Sequence, residues 1–121
     1  MTRTEQATVE AVRGALTADL LKPEWRRLAE ATGRPMLGHC YAASEAVYHL
    51  LGGKAAGYTP MSIRHEDGPH WWVRGPRGEV IDPTAEQFVT PVPYGRSVAK
   101  GFLTRQPSKR AAEIIRRIGA L

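Results

Sequence analysis

His70-Trp71-Trp72-Val73-Arg74-Gly75-Pro76-Arg77-Gly78-Glu79-Val80-Ile81-Asp82-Pro83-Thr84 reads as a β-hairpin. His70 to Arg74 is rich in aromatic and β-branched residues. Gly75-Pro76-Arg77-Gly78 is turn chemistry, and Glu79 to Asp82 is the return strand. Pro83 lacks an N–H and stops the pairing. In a hairpin symmetric about Pro76, His70 and Asp82 are cross-strand neighbours on one face, with Trp72 and Val80 paired beside them. A one-residue slip would separate them. Alternation places Trp71 and Trp72 on opposite faces. One is then expected in the core, and Trp72 beside the site.

Upstream of this hairpin, Tyr58 to His65 alternates Met61 and Ile63 with polar positions, which suggests another strand. Glu66-Asp67-Gly68-Pro69 is the turn between them. Further upstream the period changes. Val9, Val12, Leu16 and Leu20 mark an amphipathic helix within residues 5 to 21. Pro23 opens a second helix, with Trp25 and Leu28 inward and Gly33 as its stop. After the loop Arg34-Pro35-Met36-Leu37-Gly38, a third helix runs from about His39 to Leu51. Its buried stripe is Ala43, Ala46, Val47, Leu50 and Leu51, and Gly52-Gly53 ends it. Residues 85 to 106 look irregular, tacked to the core by Phe88, Val89, Tyr94, Phe102 and Leu103. A last helix begins near Ser108 and buries Ala112, Ile115 and Ile118. The expected architecture is α+β, one domain over residues 1–121. N-terminal helices come first, the Cys40 helix packs on a short antiparallel meander, and a C-terminal helix closes.

The 121 residues carry a net charge of +5. That excess favours acidic partners, yet its only local concentration is Lys100, Arg105, Lys109, Arg110, Arg116 and Arg117, without stacking aromatics. Nucleic acid is therefore a secondary reading. No apolar run approaches a membrane span and no signal-peptide core opens the chain, so the expectation is a cytoplasmic protein with a reduced thiol. His39, Cys40, His49, His65, Asp67, His70 and Asp82 are the possible metal ligands. One cysteine and no Cys-x-x-Cys pair argue against a structural zinc site, and no metal is expected.

Cys40 is the only cysteine, and it falls at the start of the third helix in Gly38-His39-Cys40-Tyr41-Ala42-Ala43-Ser44. Unpaired N–H groups and the positive helix end favour a thiolate there. The Cys40 N–H is placed to stabilise an oxyanion, and Gly38 leaves room for a carbonyl. The plain alternative is a buried structural thiol. A carboxylate beside an imidazole fixes its tautomer, which gives His70 and Asp82 a role beside Cys40. His39, Tyr41 and Trp72 flank these residues and are the candidate substrate contacts.

The segment around Cys40, then His70-Trp71-Trp72-Val73 and Val80-Ile81-Asp82-Pro83-Thr84, resembles the transglutaminase-like branch of the papain-like cysteine enzymes. The likeness spans about residues 38 to 88, with His70, Trp72, Asp82, Pro83 and Thr84 matching. Tyr41 departs from the Trp or Phe that often follows the family's cysteine. The resemblance implies Cys40 as nucleophile, His70 as base and acid, and Asp82 as orienting carboxylate. It also implies a cysteine helix against an antiparallel sheet. The whole chain also resembles small proteins carried by bacteriophages of actinobacteria. A glutamine several residues before the cysteine, as papain-like proteases use for the oxyanion, is absent, since Arg34, Pro35 and Met36 stand there. Trp25, Tyr58 and a backbone N–H are the alternatives. The expected activity is cleavage or transfer of a peptide or protein amide, or an ester, through an acyl-thioenzyme without cofactor. Protease, deamidase, amide hydrolase and transglutaminase stay open. The rival is a non-catalytic basic module that contacts nucleic acid or an acidic protein through the C-terminal helix.

Overall fold

A computed structural model describes residues 1–33, 38–66 and 68–119. Arg34 to Leu37 of the expected second loop, and Asp67 of the expected turn, lie outside the described residues. Helix α1 spans Arg3–Ala15 and starts earlier than its apolar period suggests. The cause is a capping box. Thr2 Oγ1 accepts from the Glu5 N–H at 3.0 Å, and Glu5 Oε1 accepts from the Thr2 N–H at 2.9 Å. The helix stops at Ala15, and Ala18–Leu20 forms a separate 3₁₀ turn that buries Leu20.

Helix α2 spans Pro23–Thr32, opened by proline and closed by Gly33 in the left-handed region. Its expected inward residues are not inward. Trp25 is 44% and Leu28 45% exposed, and Ala29 is the residue α2 buries. The amphipathic stripe exists, but it faces a cleft rather than the core.

Helix α3, Cys40–Leu50, is the centre of the molecule. It packs on α1, on strand β2 (Gly68–Arg74) and on helix α4 (Lys109–Ile118). Three neighbours leave it little free surface, so every residue from Ala42 to Val47 is buried, Ser44 and Glu45 included. Both polar residues are satisfied. Ser44 Oγ donates to the Trp71 carbonyl at 2.9 Å, and Glu45 accepts from Ser108 N and Oγ, each at 2.7 Å. Ser108 in turn caps α4 through the Ala111 N–H. The buried face of α4 is Ala111, Ile114 and Ile115. Ala112 is exposed, one position off expectation, and Ile118 is only half-buried. The set 111, 114, 115 and 118 is the better match to a 3.6-residue turn.

The sheet is antiparallel, with order β3-β2-β1-β4. Its other strands are β1 (Thr59–His65), β3 (Val80–Ile81) and β4 (Val98–Ala99). Pairing of β1 with β2 runs to His65 opposite Gly68, so Gly68 and Pro69 belong to the strand, not to the turn. Strand β4 was not foreseen. It is a two-residue edge pairing of Val98 and Ala99 with β1, and both side chains are exposed, so no alternation marks it. The chain is α+β, and a core of α1, α3, α4, Val73 and Ile81 holds it together.

Ile114 is fully buried. Ile114→Ala should cost about 2–5 kcal/mol by urea unfolding, whereas Ala112→Ser should change stability by less than about 0.5 kcal/mol. The opposite ranking would mean that α4 is rotated.

Candidate active site

Strand β2 presents two faces. Trp71 and Val73 point to the helices, where Val73 joins the core. His70 and Trp72 point to the other side. There the segment after Asp82 crosses the sheet, with Phe88 edge-on to His70 at 4.5 Å and Tyr94 edge-on to Trp72 at 5.1 Å. His70 is 0% exposed.

The β2–β3 register pairs Arg74 with Val80 and Val73 with Ile81. It therefore differs from a hairpin centred on Pro76, in which Trp72 would oppose Val80. The displacement on β3 is two residues, so side-chain parity is kept and Asp82 stays on the His70 face. The two meet on a diagonal, which long side chains can span. His70 Nε2 lies 2.7 Å from Asp82 Oδ2.

Asp82 is held on three sides. Besides His70, the Tyr94 hydroxyl donates to Oδ2 at 2.7 Å and the Thr84 N–H to Oδ1 at 3.2 Å. Burial and the adjacent carboxylate hold the Tyr94 phenol well above its usual range, so it remains a donor. With Nε2–H given to Asp82, the free nitrogen of a neutral His70 is Nδ1. The buried Gln87 amide nitrogen approaches Nδ1 at 3.1 Å and Thr84 Oγ1 at 3.1 Å.

Cys40 starts α3 at the end of the sheet. Its Sγ points to the Pro69 carbonyl at 3.8 Å, one residue before His70. Just before α3, Gly38 lets the chain pass close to Leu21 and Trp25. Its φ is +86°, and a Cβ there would sit 3.1 Å from Leu21 Cδ2 and 3.3 Å from Trp25 Cβ. His39 occupies the N-cap of α3 without a side-chain capping bond, which leaves first-turn N–H groups for another acceptor.

Electrostatics couple the three residues. Burial opposes a charged His70, but the Asp82 hydrogen bond, with a further contribution from Cys40, outweighs it and raises its pKa to about 9. His39 goes the other way. It is 1% exposed, neither ring nitrogen has a partner among the described residues, and burial, assisted by Arg110, lowers its pKa to about 4.

Cys40 opens on a cleft of about 530 Å³ whose walls include Trp25, Leu28, Trp71 and Phe88. Of the three expected substrate contacts, Tyr41 lines this cleft. Its ring stands edge-on to Trp71 at 4.9 Å, and its hydroxyl accepts from the Leu103 N–H at 2.7 Å. Trp72 does not line it. Strand alternation turns Trp72 to the covered face, where Nε1 donates to Ser97 Oγ at 2.8 Å. Trp71 takes its place. His39 is likewise not in the cleft wall, because the N-cap position buries it inside the fold. Among the alternative oxyanion donors, Trp25 borders the cleft, while the Tyr58 hydroxyl is committed to Glu5 at 2.8 Å.

Gln87, Phe88 and Tyr94 escaped the sequence reading as site residues. They lie on short 3₁₀ turns or beside them, in a stretch without periodicity. Phe88 also separates His70 from His65, which stacks edge-on against its ring at 4.8 Å. Among the described residues no group of three or more His, Cys, Asp or Glu side chains is arranged to hold a metal ion. No family model matches the chain, and no curated protein and no solved structure is significantly similar to it.

The raised pKa of His70 has a consequence for stability. Its folded value of about 9 exceeds the ordinary 6.5, so the charged ring contributes in full below pH 6.5 and its contribution is lost as pH rises through about 9. The thermal midpoint should fall across that window, and His70→Gln should flatten the fall. An unchanged slope in the variant would assign the titration to another group.

Proposed function

We propose that the chain is a thiol enzyme that cleaves or transfers acyl groups. The observation that carries this reading is the buried His70, bonded to Asp82 at 2.7 Å and electrostatically coupled to Cys40 at the mouth of the cleft. A structural cysteine needs neither an imidazole of raised pKa nor an open cleft. The resemblance of the Cys40, His70-x-Trp72 and Asp82-Pro83-Thr84 segments to transglutaminase-like enzymes supports the same assignment of roles.

On this reading Cys40 is the nucleophile and His70 its acid and base. The raised pKa of His70 favours an imidazolium, protonated at Nδ1, beside a Cys40 thiolate, and Sγ attacks the carbonyl carbon of an amide or ester. For this, the Gln87 amide must give up its place at Nδ1. The Sγ–C bond forms, and the carbonyl oxygen takes negative charge near the first-turn N–H groups of α3. His70 then gives its proton to the leaving nitrogen or oxygen, the bond to the leaving group breaks, and a thioester remains. Water attacks this thioester as His70 takes its proton. The C–S bond breaks and the thiolate and imidazolium are restored. An amine in place of water gives acyl transfer. Asp82 keeps Nε2–H bound throughout and stabilises the imidazolium, while Tyr94 and Thr84 keep Asp82 in place.

The rival reading, a basic module working through α4, has less support. Arg117 pairs with Asp19 at 2.7 Å, and both Arg116 and Arg117 pair with Glu113. Those cations are already partnered within the chain. Among the described residues no helix is long and apolar enough to cross a membrane, and a molecule bearing an amide or ester carbonyl is the proposed partner.

Incubation with a p-nitrophenyl ester should release nitrophenol and add one acyl mass to the Cys40 peptide. Cys40→Ala should abolish both with its melting temperature nearly unchanged. Acylation elsewhere, or several kcal/mol of lost stability, would return Cys40 to a packing role. Asp82→Asn should slow the reaction by about 10²–10⁴-fold, and full turnover in that variant would remove Asp82 from the mechanism.

A further inference from the structure

The wall of the cleft is largely apolar, and among the described residues it carries two cations, Lys22 and Arg110, against one carboxylate, Glu66. Lys22, at the N-cap of α2, and Arg110, in the first turn of α4, both line it. Neither makes an ion pair or hydrogen bond to a carboxylate among the described residues. Four arginines elsewhere in the chain are ion-paired. Arg13 bonds to Glu86, Arg77 to Glu5 and Glu79, and Arg116 and Arg117 to Glu113. The carboxylate that lines the cleft, Glu66, is committed to the adjacent loop, where it accepts from Val89 N, Thr90 N and Thr90 Oγ1 at 2.8–3.0 Å. The field of Arg110 reaches the start of α3, where it helps to depress the pKa of the buried His39. The positive end of the α3 dipole adds to it.

The apolar side is equally unusual. Trp25 and Leu28 keep 44% and 45% of their surface exposed while facing this cleft. Large apolar groups left open beside unpaired charge are characteristic of ligand sites. A volume of about 530 Å³ suits one small ligand better than an extended chain.

We infer that the cleft binds a small acyl donor that joins a bulky apolar or aromatic group to a carboxylate or phosphate. Lys22 and Arg110 pair with the anion, Trp25 and Leu28 cover the apolar group, and the reacting carbonyl lies at Cys40. This inference rests on the thiol-enzyme reading for the last of these contacts only.

The test has a binding arm and a labelling arm. In Cys40→Ala, 4-phenylbutyrate and its uncharged amide are titrated by tryptophan fluorescence at low ionic strength. The carboxylate should bind several-fold tighter than the amide, and the double substitution Lys22→Gln/Arg110→Gln should erase that difference while amide binding stays as it was. Equal binding of the two probes, or a preference that survives the double substitution, overturns the anion site. In the chain with Cys40 intact, iodoacetate should alkylate the thiol faster than iodoacetamide, by a ratio that falls in the double variant. Charge-selective binding with an inert thiol would overturn the acyl-donor assignment and the thiol-enzyme reading. Fast labelling without charge preference would overturn the inference alone.

Discussion

A single diagonal contact, His70 Nε2 to Asp82 Oδ2 at 2.7 Å, ties the candidate site to the sheet. It spans two strands whose ladder ends at Ile81, so Asp82 sits just past the last backbone pair. Such a contact depends on register. Because the side chains alternate with period two, a two-residue displacement keeps the pair on one face, and a one-residue displacement would not. Val73 and Ile81, both fully buried in the helical core, fix that register from the opposite face. Core packing on one side of the sheet thus sets the His70–Asp82 contact on the other.

Burying this pair has a cost that the surroundings offset. The Asp82 side chain is 3% exposed and His70 is sealed from solvent. A carboxylate in that position is tolerated because His70, Tyr94 and the Thr84 N–H all donate to it. Losing one partner of a buried ion pair costs about 3–5 kcal/mol in other proteins. The carboxylate held in this way fixes the imidazole tautomer by accepting from Nε2–H. Phe88 packs on the ring edge and Gln87 contacts its second nitrogen, so His70 has few alternative orientations.

Much of this was legible in the sequence. The change of period between α3 and β1, the proline and glycine at the ends of α2, and the His70-to-Asp82 hairpin all rest on local rules that tertiary packing did not override. What was illegible depends on the third dimension. Trp25 and Leu28 follow a helical stripe, but nothing local says whether a stripe faces core or cleft. Trp72 and Trp71 alternate as expected, yet which of them borders Cys40 depends on which face carries the helices. His39 stands next to Cys40 in sequence and is buried away from the cleft by the geometry of the N-cap. Gln87 and Tyr94 reach the site from a segment without period, where only the assembled sheet shows what they touch.

The central claim is that Cys40 and His70 act as a pair. The most direct measurement is the pH profile of Cys40 alkylation by iodoacetamide, in the native chain and in His70→Ala. The account predicts rapid labelling that persists from neutral into mildly acidic buffer and is lost in the variant. Slow labelling that is the same in both, or labelling only after unfolding, would contradict it and make Cys40 a structural thiol.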